Sequence, residues 1–113
     1  MALVTDVKGG KRLKLLTKEL RHKFPKLGTT DSKDPSQIKV IAKFFDPCSQ
    51  WTWYATEFDG EDTFFGFVWG IENELGDFSL SELQSYAGKL GLGIERDLYF
   101  RDHTLAEVME KRL

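Results

Sequence analysis

Four carboxylates, Glu57, Asp59, Glu61 and Asp62, lie within one short stretch between two runs dense in aromatic side chains. Oxygen donors so close together suit Mg²⁺ or Ca²⁺, but their spacing does not follow an EF-hand loop. An exposed acidic turn is the simpler reading, and no metal or other cofactor is expected. Glu57 offers proton transfer if it projects on the side of Trp53, where burial would raise its pKa. Pairing with Arg96 further along the chain is the favoured alternative. Nucleophilic chemistry would need Cys48 beside His103 or His22, with Asp46 or Asp102 orienting the base. These residues show no ligand or triad spacing, and a lone cysteine after Asp46-Pro47 reads as incidental. The rings themselves could stack bases, yet platforms for single strands also carry a positive groove, and here the rings sit among acids. Non-enzymatic binding of a protein partner is therefore expected, through Trp51, Trp53, Tyr54, Glu57, Asp59, Glu61, Asp62, Phe65 and Trp69. In this reading the aromatics give affinity and the acids give orientation and rate.

The elements that must position these residues can be read in part. Trp51 to Phe58 and Thr63 to Trp69 form a β-hairpin by composition and alternation. A two-residue Asp59-Gly60 turn would set Glu57 opposite Asp62, two like charges. A four-residue loop over Asp59 to Asp62 avoids that and pairs Phe58 with Thr63, Thr56 with Phe65, Tyr54 with Phe67 and Thr52 with Trp69. Trp53 then faces Val68, and Ala55 faces Gly66. Both faces of such a sheet are apolar, so part of one aromatic face is expected to stay open to a partner. Thr17 caps a predicted helix over Lys18 to Phe24, which Pro25 ends, with Leu16, Leu20 and Phe24 on one side. Ile38 to Phe45 reads as a strand, and Ile94 to Phe100 as the last one. Ser79-Leu-Ser-Glu82 is a capping box with Phe78 and Leu83 as its hydrophobic staple, before a helix that Gly88 ends. Thr104-Leu-Ala-Glu107 repeats the box and starts a helix burying Leu105, Val108 and Met109. The fold class is α+β, a central antiparallel sheet of about four strands with short helices packed on it.

The 113 residues, 41% hydrophobic and 30% charged, suit one domain over 14–113 after a flexible extension over 1–13. A single cysteine excludes an internal disulfide, and no apolar run approaches the roughly 18 residues of a membrane span. The start shows no signal-peptide pattern, so a cytoplasmic location is expected. The net charge of -2 conceals an asymmetry. Residues 8 to 26 carry eight Lys or Arg against Glu19, whereas Asp46 to Gly88 holds nine carboxylates and no Lys or Arg. Either the two blocks attract each other across the fold or the acidic face engages a basic partner.

Several segments together resemble the bacterial domain-of-unknown-function family numbered 2958. They are Leu15-Leu-Thr-Lys-Glu-Leu20, Lys43-Phe-Phe45, Trp51 to Gly60, Phe64-Phe-Gly66, Glu74-Leu-Gly76, Phe78-Ser-Leu-Ser-Glu-Leu83 and Ile94 to Phe100. The resemblance runs from about Lys14 to Phe100, leaving out the ends, and it does not call for Cys48. It implies an accessory protein of mobile elements, plasmids or phages, with no established chemistry. With the acidic hairpin it leads to the expectation of a non-enzymatic, anti-defence inhibitor acting on a host defence nuclease or nucleoprotein complex. A single-stranded nucleic-acid-binding module and a small enzyme using Glu57 as acid/base are the alternatives.

Overall fold

A computed structural model describes residues 14–86 and 91–113. Its centre is an antiparallel meander. β1 (Ala42–Phe45), β2 (Thr52–Phe58), β3 (Thr63–Trp69) and β4 (Glu74–Ser79) are neighbours in space as in sequence, and β5 (Glu95–Arg96) joins the far side of β1. Among the described residues three short helices accompany the sheet: α1 (Lys18–Arg21), α2 (Leu80–Ser85) and α3 (Leu105–Glu110). The α+β class holds, with a fifth strand. None of these helices is long and apolar enough to cross a membrane. The extension over 1–13 and Gly88 itself lie outside the described residues, but α2 already ends at Ser85, because Tyr86 is extended rather than helical.

Alternation along the strands sorts side chains onto two buried faces. Phe44, Ala55 and Phe64 pack under Leu15, Leu16, Leu80 and Leu83, while Tyr54 and Phe67 pack on the opposite face with Ile38, Val40, Leu105 and Val108. Two short helical layers therefore suffice to cover most of a sheet that is apolar on both sides.

The hairpin register agrees with expectation at the tryptophan end, where Thr52 faces Trp69, Trp53 faces Val68, Tyr54 faces Phe67 and Ala55 faces Gly66. Nearer the loop it is corrected. A bulge at Thr56 shifts the pairing, so that Glu57 rather than Thr56 faces Phe65, and Phe58 faces Phe64 rather than Thr63. The extra residue moves Phe58 to the Phe64 face, where the two ring centroids lie 4.5 Å apart and Phe24 adds a third ring. Burial of that aromatic group explains why the bulged register wins.

Other boundaries are shorter than the sequence pattern suggests. α1 ends at Arg21, and the chain tightens through Lys23 N–H to Leu20 O and Phe24 N–H to Arg21 O before Pro25. Ile38 to Val40 is extended, but its partners lie beside α3, where Val40 N–H donates to His103 O and Leu105 N–H to Ile38 O, and only from Ile41, whose N–H donates to Ala55 O, does the chain join β2. β5 stops after Arg96 because the Asp97 side chain accepts the Tyr99 N–H and folds the chain back. The capping box of α3 is complete: Thr104 Oγ1 accepts the Glu107 N–H and Glu107 Oε1 accepts the Thr104 N–H. Thr104→Ala is expected to lower stability by about 1 kcal/mol in urea unfolding, and an unchanged midpoint would refute this role for the cap.

Candidate functional site: an aromatic cleft with two carboxylates

β2 begins with Thr52, so Trp53 points to the Phe44 face, where it packs against the core with part of its ring exposed. Trp51 precedes the strand and lies against it. The two indoles stack with centroids 5.8 Å apart and planes 26° from parallel. The loop from β1 fixes Trp51 through local hydrogen bonds. Asp46 N–H donates to Trp51 O, and the Asp46 carboxylate accepts the Cys48 N–H and the Ser49 hydroxyl, each at 2.9 Å. Ser49 Oγ in turn accepts the Trp51 N–H. Across from the indoles, α2 starts at Ser79, whose side chain accepts the Glu82 N–H, and Glu82 and Tyr86 follow at helical spacing.

Between these elements lies a cleft of about 390 Å³, lined by Trp51, Trp53, Phe78, Leu83, Tyr86 and Ile94 together with Ser79, Asp46 and Glu82. Its volume is at the small end of ligand sites. Asp46 is 4% exposed, whereas Trp51 and Tyr86 are 37% and 47% exposed at the mouth. The Tyr86 phenol has a raised pKa, first from partial desolvation, then from the Asp46 charge and a hydrogen bond to Asp46. Among the described residues neither Asp46 nor Glu82 forms an ion pair and no Lys or Arg lines the cleft. Among the described residues no ion pair joins the basic block to the acidic one. The basic block's contact with the hairpin loop among the described residues is the Arg21 guanidinium donating to Gly60 O at 2.6 Å, with the same group over the Phe58 ring.

The nine residues singled out from the sequence are not brought together. Trp51 and Trp53 line the cleft. Tyr54 is fully buried on the other face, where burial pushes its phenol up to about 12. Phe65 and Trp69 are half-buried, and the Trp69 indole N–H donates to Val108 O at 2.7 Å. Glu61 is exposed at the loop.

The remaining acids are internal ligands. Asp59 Oδ1 accepts the N–H groups of Glu61, Asp62 and Thr63, which holds its carboxyl below the usual range. Asp62 accepts the Ser79 hydroxyl and both the N–H and hydroxyl of Ser81, fastening α2 to the loop and lowering its own pKa. Glu57 is 1% exposed and is corrected on two points. Its partners are the Gly28 N–H and the Thr30 N–H, each at 2.8 Å, and the Thr30 hydroxyl; Arg96 instead donates to Leu15 O. Burial opposes its ionisation, but the hydrogen bonds from Thr30 and Gly28 outweigh burial and lower its pKa, the reverse of a raised one.

These four acids aim at different parts of the chain, and among the described residues no group of three or more His, Cys, Asp or Glu side chains is arranged to hold a metal. Sequence reasoning missed Phe78, Glu82, Leu83 and Tyr86 as parts of one surface. The Ser79 cap placed the helix that carries Glu82 and Leu83 and ends just before Tyr86, but which sheet face that helix covers is a tertiary matter.

The family model described as "Protein of unknown function (DUF2958)" matches residues 15–111, taking in the tail after Phe100. No curated protein and no solved structure matches.

Proposed function

The chain belongs to this family, and from that premise we propose that it is a non-enzymatic binding protein whose Trp51–Trp53–Tyr86 cleft engages a basic protein surface. One observation carries the reading: a small, mostly apolar cleft holds two carboxylates and no cation among its described lining residues. Exposed indole and phenol rings are the usual anchors of a protein interface, and unpaired acids beside them select a positively charged partner and speed its approach. A nucleic acid would bring phosphates against Asp46 and Glu82, so a direct complex is disfavoured.

In its finer form the partner is a nucleic-acid-binding component of host defence, and this chain is a mobile-element accessory that blocks it in the cytoplasm. The support for that form is charge, since a surface that binds nucleic acid is basic. A lone Cys48, which leaves no internal disulfide, is compatible with a reducing compartment.

The test is capture from nuclease-treated bacterial lysate, with bound proteins identified by mass spectrometry. Wild type is expected to retain a specific protein with a basic surface. Trp51→Ala is expected to weaken that capture roughly 30-fold or more, as for a central aromatic anchor, and Glu82→Lys to abolish it, with both variants still folded. Capture that vanishes with nuclease treatment, or that both variants retain, overturns the reading.

A further inference from the structure

Resting on the reading of the cleft as a protein-binding site, we infer that it is a receptor for one arginine side chain of the partner. The cleft supplies two kinds of contact that a guanidinium uses together. The stacked indoles of Trp51 and Trp53 present ring surface at the mouth, with Trp51 37% exposed. A planar cation can lie flat on such a face within about 6 Å. Asp46 and Glu82 then provide carboxylate acceptors for the N–H fork.

Asp46 is the more telling of the two acids. It is 4% exposed, yet its hydrogen bonds come from neutral donors, the Cys48 N–H and the Ser49 hydroxyl of its own loop and the Tyr86 phenol across the cleft, and no described cation pairs with it. A carboxylate removed from water without a counter-charge is a costly arrangement, and a bound cation offsets that cost.

Arginine fits better than the other cations a protein can offer. A lysine ammonium is compact and strongly hydrated, and it resists transfer into an apolar cleft. A quaternary ammonium could occupy the aromatic surface but has no N–H to give a carboxylate. About 390 Å³ holds a side chain rather than a large cofactor. Among the described residues no Lys or Arg of the chain lines the cleft.

The test uses three peptides, acetyl-Gly-Arg-Gly-amide and its lysine and citrulline counterparts, titrated into the full chain while the tryptophan indole N–H signals are followed by NMR. Trp69 serves as the internal control, because its N–H is bound to Val108 O on the opposite face. The arginine peptide is expected to shift Trp51 and Trp53 saturably and to leave Trp69 unmoved. Citrulline, the same shape without charge, should bind weaker by about tenfold or more, and lysine should fall between. Glu82→Gln, at an exposed position, should weaken the arginine response several-fold. Gly70→Ala should do so too, because its new methyl group would lie 2.7 Å from Trp51 Cε3 and Cη2 and displace the ring.

Equal responses to arginine and citrulline, or no movement of Trp51 and Trp53 at millimolar arginine peptide, overturn the proposal. A captured basic partner with no arginine response removes the receptor and leaves the binding reading standing. An arginine response with no captured protein supports the receptor and counts against the partner.

Discussion

Gly66→Ala is expected to destabilise the fold by about 3 kcal/mol or more, lowering the melting midpoint by about 10 °C or more. Gly66 sits in the middle of β3 opposite Ala55, one residue before the bulge at Thr56 bends β2. That bend carries the Tyr54 backbone over Gly66. An added Cβ would meet the Tyr54 carbonyl, 2.8 Å from its carbon, and would come within 3.0 Å of Ala55 Cα. These are backbone atoms, so relief requires the two central strands to separate, and the Tyr54 and Phe64 layers would part with them. Gly76 is the control. It pairs with Gly66 from β4, and a Cβ there meets nothing within 4 Å. Gly76→Ala should be neutral or slightly stabilising, since alanine restricts the unfolded chain. Urea unfolding of both variants decides the matter: equal midpoints would mean that the close approach at Gly66 carries no weight.

The second large effect is expected at Glu57, where Glu57→Gln should lower stability by about 2–4 kcal/mol at neutral pH. Oε1 accepts the Gly28 N–H, and Oε2 accepts both the N–H and the hydroxyl of Thr30. A glutamine in the same place turns one oxygen into an NH₂ group, so in either orientation a donor faces a donor. The group is almost wholly enclosed, and water does not make up the loss.

The same hydrogen bonds set a pH dependence. The folded carboxyl titrates below its ordinary value of 4.5, so between the folded and unfolded pKa values the unfolded chain binds more protons. The contribution of Glu57 is therefore complete above the unfolded pKa and is lost as pH falls through the folded one. Wild type and Glu57→Gln should differ by a constant amount at neutral pH and converge in acid. A difference that persists unchanged in acid would show that shape rather than charge holds the Gly28–Thr30 loop to β2.

What the sequence made legible followed from side-chain chemistry acting over short distances. Like-charge repulsion between Glu57 and Asp62 excluded the tight turn, and the aromatic pairs then fixed the register of Trp53 and Tyr54. The caps at Thr17, Ser79 and Thr104 were readable because an N-cap involves only its own first turn. The bulge was not readable, because Thr56 is an ordinary strand residue and only packing of Phe58 on Phe64 and Phe24 calls for an extra one. β4 escaped notice because Glu74-Leu-Gly-Asp-Phe-Ser79 lacks alternation; as an edge strand with most of its side chains exposed, it has little to bury. The acids of the hairpin were visible as charges, but their roles depend on Gly28, Thr30, Ser79 and Ser81, which only the folded chain brings near. Trp51 and Trp53 were legible as candidates for the same reason as the hairpin, whereas their neighbours Glu82 and Tyr86 were not.

Among the described residues β4 leaves one side of its backbone without a partner strand, and Glu74 and Asp77 stand exposed along it. An unprotected edge of this kind invites a second copy of the chain to add itself and extend the sheet toward aggregation. Two such edges meeting would bring carboxylates against carboxylates, in a region where no Lys or Arg lies between Asp46 and Gly88 to offset them. Like-charge repulsion along β4 opposes such pairing, so the acidic stretch works against edge-to-edge extension of the sheet whatever occupies the cleft.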